Sequence, residues 1–546
     1  MEIILKKTIG GIVGMTLALL MLFANQLGLD NNPMWGTRRY VVFLVGIFIL
    51  FLSLAYHKDN FIGHVLGTYN GQLYLGVIIL STAVVLYYVW CVTIGLWTKW
   101  PHETNYYDLQ ATAFSHGQIA LEIQPDPALL ALKGLDAYNP ENRKGIPALW
   151  DVTFYNGKFY LYWGPVPALL LTIIKLFYTG EVGDNILIFV FISGTFLFMT
   201  MILLELWKKY YPETPRWAIL LAIAFVGLVN PMTYILFEPR IYEASIIGAE
   251  FFLIGGSYWL FTAFNRPSAL RFSLAGIFLA GAVGSRTALL LPVAFLALIA
   301  LIWIVKSQRV RALTFITAIA LPLLIGAVSY AWFNFVRFGS VTEFGITYQL
   351  TAFNQSQDGT FSFAYIPFNL YKTLINPFEL RYIFPYIFPT RWVGPASLAE
   401  GNFPFGYQLF AEPITGILIG SPFMIFAFFA GLNKNKDSRW IIIALAGSAL
   451  LSFFTQQVFF FASMRYLLDL IPTLSLLAAV GFWQGLNLLQ NRAIARFSFV
   501  TFGLLLAAYG FVISFTISLS AHFEQLRGFN PDLLKQMTWA FNSLLK

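Results

Sequence analysis

Apolar residues run through this chain in long blocks separated by short polar stretches. Blocks of roughly twenty residues, enough to cross about 30 Å of hydrocarbon, fall at 10–28, 40–56, 73–97, 184–206, 217–235, 243–262, 269–284, 287–305, 312–334, 411–431, 440–459, 463–485 and 495–518. Inside lipid every backbone donor and acceptor must be paired within the chain, so these thirteen blocks predict transmembrane helices. A further apolar run, 164–178, is shorter and opens with Gly164-Pro165-Val166-Pro167. It predicts a helix lying on or dipping into one leaflet.

Basic residues decide the threading. With 164–178 not crossing, Lys6, Lys7, Lys58, Lys208, Lys209, Arg216, Arg266, Arg271, Lys306, Arg309, Arg311, Lys434, Lys436, Arg439, Arg492 and Arg496 all fall on one side. The short loops opposite carry chiefly Arg38 and Arg39. The positive-inside rule then predicts a multi-pass plasma-membrane protein with a cytoplasmic N-terminus and an external C-terminus. The expected organisation is N-terminal transmembrane helices over 1–97, an external loop with a juxtamembrane helix over 98–183 and a transmembrane core over 184–334. A second external loop over 335–410, C-terminal transmembrane helices over 411–518 and an external amphipathic tail over 519–546 follow. Within the first loop, Tyr155-Asn156-Gly157-Lys158 in an alternating aromatic run predicts a β-hairpin. Pro531 predicts the start of the tail helix.

Composition agrees with the pattern. The sequence has 546 residues, 58% of them hydrophobic and 11% charged, against about 25% charged in soluble domains. The formal charge of +8 is a topology signal, helped by anionic lipid, and calls for no nucleic-acid partner. The single cysteine, Cys91, excludes an internal disulfide and a cysteine metal cluster. The five histidines, His57, His64, His102, His116 and His522, show no zinc spacing. Neither a phosphate-binding P-loop nor a dinucleotide fingerprint occurs.

Charges at membrane depth are costly and each asks for a reason. Asp108, Glu238, Arg240, Glu243, Arg286, Glu412, Arg465 and Asp469 come from separate stretches, yet the threading puts all of them at the external side. Asp108 is a candidate general base or a solvated loop aspartate. Asp151, beside the hairpin, reads as a turn or packing anchor. Glu238 and Glu243 flank Arg240 in FEPRIYE, as a local ion pair or as an acidic patch able to hold a divalent cation such as Mg or Mn. No cofactor is required by the sequence. Arg286 and Arg465 could present guanidinium forks to a phosphate, although Arg465 and Asp469 are also spaced as an i,i+4 pair. Glu250, deeper in an apolar stretch, must be neutral or hydrogen-bonded. Tyr106, Tyr107, Tyr160, Tyr162 and Trp163 suit stacking on sugar faces or placement at the bilayer interface.

The stretches DLQATAFSHGQIAL, WDVTFYNGKFYLYWGPVPALLL, NPMTYILFEPRIYEAS, VGSRTALLLP, NFVRFGSVTEFGITYQLT and MRYLLDLIP, in that order, resemble the GT-C superfamily of polytopic membrane glycosyltransferases. That class includes bacterial arabinose- and mannose-transferring enzymes. The resemblance implies an all-α, GT-C-like transmembrane bundle with external loops. It also implies a sugar donor linked to polyprenyl phosphate and transfer on the non-cytoplasmic face, usually with inversion. By the same resemblance Asp108 is the base, Glu238 and Glu243 are the second acidic element, and Arg286 and Arg465 hold the donor phosphate. Arg240, Asp151, Asp469, Glu412 and Tyr107 are supporting residues. The partners implied are the lipid-linked donor, membrane lipids, and a glycan, lipid or protein acceptor. The chain departs from the family pattern in lacking a double acid, because Leu109 follows Asp108, and in carrying two extra spans. Two other functions fit the same polar groups: a lipid or polysaccharide transporter, or a non-catalytic membrane scaffold.

Overall fold

Each of the thirteen blocks overlaps helix in the computed structural model, which describes residues 2–25, 27, 35–55, 68–352, 354, 361–390, 412–432, 436–521 and 523–544. His57, Lys58, His64, Lys434, His522 and much of the second loop lie outside the described residues. Among the described residues, eight helices are long and apolar enough to cross a membrane, so the chain is a multi-pass, all-α membrane protein. The only strands among them form two short hairpins.

The chain divides into two compact units, Met1–Leu80 and Ser81–Lys546, with the division inside the helix Tyr69–Val92. In the first unit, helices Glu2–Leu22 and Thr37–Ala55 pack against one another. Small residues set their separation: a Cβ on Gly14 would fall 2.7 Å from the Gly46 carbonyl oxygen, so only glycine lets the two backbones approach this closely. Arg39 closes the pair at one end by donating to the Met21 carbonyl at 3.2 Å.

In the second unit, helix Ile241–Asn265 is central, with 78% of its most apolar window buried, against 11% for the peripheral span Arg309–Phe338. It packs on Asp184–Tyr210 and Ala269–Ser285, and the latter packs in turn on Ala312–Phe338. Helix Ile471–Leu488 is equally central, at 83% buried.

Two predicted spans are broken. The block 217–235 is helical over Arg216–Leu228, breaks around Asn230-Pro231, and resumes at Tyr234–Phe237. The block 411–431 becomes a single turn, Ile417–Gly420, followed by a 3₁₀ run, Pro422–Leu432. Proline has no N–H to continue the ladder, and hydropathy does not register that loss. The start of 463–485 is a separate 3₁₀ segment, Arg465–Asp469, ahead of helix Ile471–Leu488. The expected i,i+4 pair between Arg465 and Asp469 does not form, since each acidic and basic group finds a partner elsewhere.

The segment between Val92 and Asp184 builds one wall of the site. Its helix Tyr106–Ser115 starts where Asp184 accepts from the Tyr106 and Tyr107 amides at 3.1 and 3.3 Å, a capping carboxylate supplied from outside the helix. The expected hairpin pairs Thr153–Tyr155 with Lys158–Tyr160. Its Asn156-Gly157 turn has φ of 47° and 72°, the two left-handed residues that a tight hairpin turn requires. The run 164–178 forms helix Val166–Lys175, which at about 1.5 Å per residue is half the length of a crossing. It buries Pro167, Ala168 and Leu171 and exposes Leu169, Leu170, Ile173 and Ile174. Gly164 lets this helix meet helix 269–285 edge-on, because a Cβ there would fall 2.2 Å from the Gly284 carbonyl oxygen. The tail helix begins at Pro531 as expected and runs to Leu544.

Candidate functional site

A cavity of about 620 Å³ opens within the second unit, in the size range of small-molecule sites. It is walled by both connecting loops, by the start of helix 241–265, by the joint between Ala269–Ser285 and Leu290–Ser307, and by the segment before Ile471. Among the described residues six charged side chains line it: Asp151, Arg240, Arg286, Glu412, Arg465 and Asp469. Leu290, Leu291, Phe344, Phe459, Phe460 and Phe461 add an apolar wall, and Trp150, Tyr162, Trp163 and Tyr242 an aromatic one.

The arginines are held by carboxylates behind and beside them. Arg286 Nη2 lies 3.1 Å from Asp469 Oδ2, and its guanidinium stands over the Tyr466 ring at 5.0 Å. Arg465 pairs with Glu412 through Nη2 and approaches Glu243 at 3.6 Å through Nη1. Its guanidinium also stands over the rings of Tyr242 and Tyr466, at 4.5 and 5.5 Å. Arg240 reaches Glu238 at 2.8 Å and Glu243 at 3.4 Å. Glu243, 1% exposed, thus serves two arginines at once and fixes their spacing. Burial holds the Glu238 carboxyl above its ordinary range against the pull of Arg240. Burial also opposes the Arg240 charge, but Glu243 and Glu238 outweigh it and hold that guanidinium above its ordinary value. The Nε–H groups of Arg240, Arg286 and Arg465 are buried without a hydrogen-bond partner among the described residues. Three cations in one cavity wall thus keep donor capacity unspent.

Asp151 is the carboxylate that faces this cavity with neutral partners. It sits at φ 60°, a left-handed conformation that is costly for a residue with a Cβ. Its amide donates to the Leu350 carbonyl at 2.9 Å, and the Leu350 amide returns to Val152 at 2.8 Å. Gln349 Nε2 donates to Asp151 Oδ1 at 2.9 Å, and the Tyr242 hydroxyl donates to Oδ2. Each carboxylate oxygen therefore takes one bond from the protein and retains lone-pair capacity toward the cavity. Asp151, expected as a packing anchor, is both anchored and presented.

Asp108 is placed differently. It does not line the cavity. Only 5% exposed, it pairs with Lys175 Nζ at 2.6 Å and accepts from the Val182 amide at 3.1 Å. Asp108, expected at the mouth as the base, is instead pointed by the first turn of helix 106–115 at helix Val166–Lys175. Tyr107, from the same turn, is fully buried and is not in the cavity wall. Glu238 and Glu243 stand behind the arginines, and Arg240, Arg286, Glu412, Arg465 and Asp469 converge as expected. Sequence reading passed over Gln349, Gln456, Tyr242 and Tyr466, all in the cavity wall. Tyr242 was within reach, lying between the two acidic positions of FEPRIYE.

Among the described residues no three histidines, cysteines or carboxylates gather as metal ligands. Glu238 and Glu243, the acidic patch open to a divalent cation, are paired with Arg240 at 2.8 and 3.4 Å instead.

No protein-family model matches the chain, and no curated protein matches it significantly. Two crystal structures of the Archaeoglobus fulgidus oligosaccharyltransferase resemble it at low identity. The apo form shares 14% identity over 82% of this chain and 56% of that one, with a TM-score of 0.39. The complex with Zn and sulfate shares 10% over 81% and 53%, with a TM-score of 0.36. This chain spans about half the length of those structures.

Proposed function

We propose that this protein transfers a sugar from a polyprenyl-phosphate donor to an acceptor hydroxyl in the cavity, on the non-cytoplasmic face of the plasma membrane. The observation that carries the reading is the meeting of Arg286 and Arg465 with the cavity-facing carboxylate Asp151. The sequence resemblance to GT-C glycosyltransferases supports the same reading, and the one-sided basic residues support the N-in, C-out orientation.

Asp151 acts as the base in place of Asp108. It takes the proton of the acceptor hydroxyl, and the oxygen forms a bond to the anomeric carbon. The bond from that carbon to the phosphate oxygen breaks, and its electron pair leaves on the polyprenyl phosphate. Arg286 and Arg465 stabilise the charge that develops there, with Arg240 beside them. The apolar wall of Leu290, Leu291 and Phe459–Phe461 takes the first isoprene units. Trp163, stacked on Tyr162 at 4.1 Å, offers an aromatic face to a sugar ring.

The test is transfer by the purified full chain in lipid nanodiscs supplied with radiolabelled polyprenyl-phosphate hexoses and pentoses and a mixed lipid and glycan acceptor pool. Label should move to acceptor or water at a rate that Asp151→Asn abolishes. Movement of intact donor across sealed proteoliposomes, with no bond broken, would replace this reading with transport.

A further inference from the structure

One acid beneath the cavity has no part in the chemistry above. Glu250 lies two helical turns from Glu243 on helix 241–265, on the face that carries the cavity-lining Ile246. It is 0% exposed, and neither of its carboxylate oxygens has a hydrogen-bond partner among the described residues. Helix 241–265 packs directly on the 3₁₀ segment Arg465–Asp469, and Asp469 and Arg286 are the charged groups within electrostatic reach of Glu250. Asp469 is also unfinished: Oδ2 takes Arg286, while Oδ1 is buried without a partner.

Among the described residues, the other charged groups of the packed elements stand toward element ends or are paired elsewhere. Helix Ile471–Leu488 carries none. Helix Asp184–Tyr210 keeps Asp184, Glu205, Lys208 and Lys209 at its ends, and Lys306 ends helix Leu290–Ser307. Lys175 of the juxtamembrane helix is committed to Asp108, and Arg271 stands at the opposite end of helix Ala269–Ser285 from Arg286. On the 3₁₀ segment, Arg465 is committed to Glu412 and Glu243, and Tyr466 faces the two arginines.

This leaves two acids around one guanidinium. An ionised carboxylate with neither hydrogen bond nor counter-ion is far costlier than the neutral acid, so Glu250 carries a proton and has an O–H to donate. A phosphate entering the cavity competes with Asp469 for Arg286, and an Asp469 stripped of its only cation would be a buried bare charge. We propose that Glu250 is a positioning residue that donates its hydrogen bond to Asp469 as Arg286 turns to the phosphate, so that the arginine can change partners. The proposal rests on the reading of Arg286 as a phosphate ligand. The proton stays within the Glu250–Asp469 pair, and no bond to carbon or phosphorus changes.

The test measures binding of farnesyl methyl phosphate, a diester whose single charge is constant across the assay, to the full chain in nanodiscs. Wild type and Glu250→Gln, which keeps an N–H donor, should bind alike. Glu250→Leu, which packs but cannot donate, should bind about tenfold or more weakly. Combining Glu250→Leu with Asp469→Asn should restore binding, because residue 469 then has no charge to compensate. Equal binding by wild type and Glu250→Leu, or no rescue by Asp469→Asn in a double variant that unfolds at the wild-type temperature, overturns the role of Glu250. An Arg286→Gln variant that binds like wild type overturns instead the phosphate assignment on which that role depends.

Discussion

Asp108 and Asp151 lie in the same connecting segment, and both fold into ordered, partly buried surroundings. Asp108 meets a cation: Lys175 lies 2.6 Å away, both side chains are under a tenth exposed, and the pair ties helix 106–115 to helix 166–175. Among the described residues Asp151 takes its side-chain hydrogen bonds from neutral donors, Gln349 and Tyr242, with Arg143 near enough to act on it electrostatically, and it lines a cavity with three arginines. Asp108 is thus committed to a buried counter-ion, whereas Asp151 is held by hydrogen-bond donors at the cavity wall. Two acids of one connecting segment thus end with different partners, and on the function proposed above that difference separates their roles.

The sharpest break of this comparison is in catalysis. Asp151→Asn should lower transfer by about a hundredfold to ten-thousandfold, the range of a lost general base. Asp108→Asn should leave the rate per folded molecule close to wild type. Rates normalised to folded protein decide it, and a larger catalytic loss at Asp108 would reverse the two roles. In stability the order inverts. Asp108→Asn strands the Lys175 charge and should cost about 3–5 kcal/mol, while Asp108→Leu combined with Lys175→Met should recover most of that. Chemical unfolding in detergent micelles provides the measurement.

The two sites should also separate in ligand binding. Arg286→Gln should weaken farnesyl methyl phosphate about tenfold to a hundredfold, the worth of one charged hydrogen bond, whereas Lys175→Met should leave its Kd unchanged. Tyr242→Phe removes one of the two bonds on Asp151 and should lower kcat about fivefold with KM little altered. The smallest effect is one of pH. Glu238 is held above its ordinary range by burial, so it takes up a proton closer to neutrality than a free glutamate. Each protonation makes the arginine cluster one unit more positive. Binding of the phosphate diester should therefore tighten slightly as pH falls toward the acid side of neutral, and Glu238→Gln should flatten that slope.

Much of the fold was legible in the residue pattern, because lipid leaves the backbone little choice. An apolar block of twenty residues must be helical, and Asn156-Gly157 between alternating aromatics must turn. The convergence of Arg240, Arg286, Glu412, Arg465 and Asp469 was legible for a related reason: threading put them on one side, and isolated charges at that depth need one another. The breaks at Pro231 and Pro422 were less so, since hydropathy averages over a missing N–H.

The sequence by itself determined that this chain is a many-helix membrane protein. It also marked the hairpin, the half-length helix at 166–175 and the tail helix at Pro531, all properties of local pattern and hydrogen-bonding chemistry. Only the tertiary structure decided which acid faces the cavity and which is sealed behind it. Asp151 is set by Gln349, nearly two hundred residues further on, and by Tyr242 on a separate helix. Asp108 is taken by a lysine on a different helix. A carboxylate's direction and its counter-ion are long-range facts: a Coulomb pair or a single hydrogen bond chooses among groups that no spacing along the chain brings together.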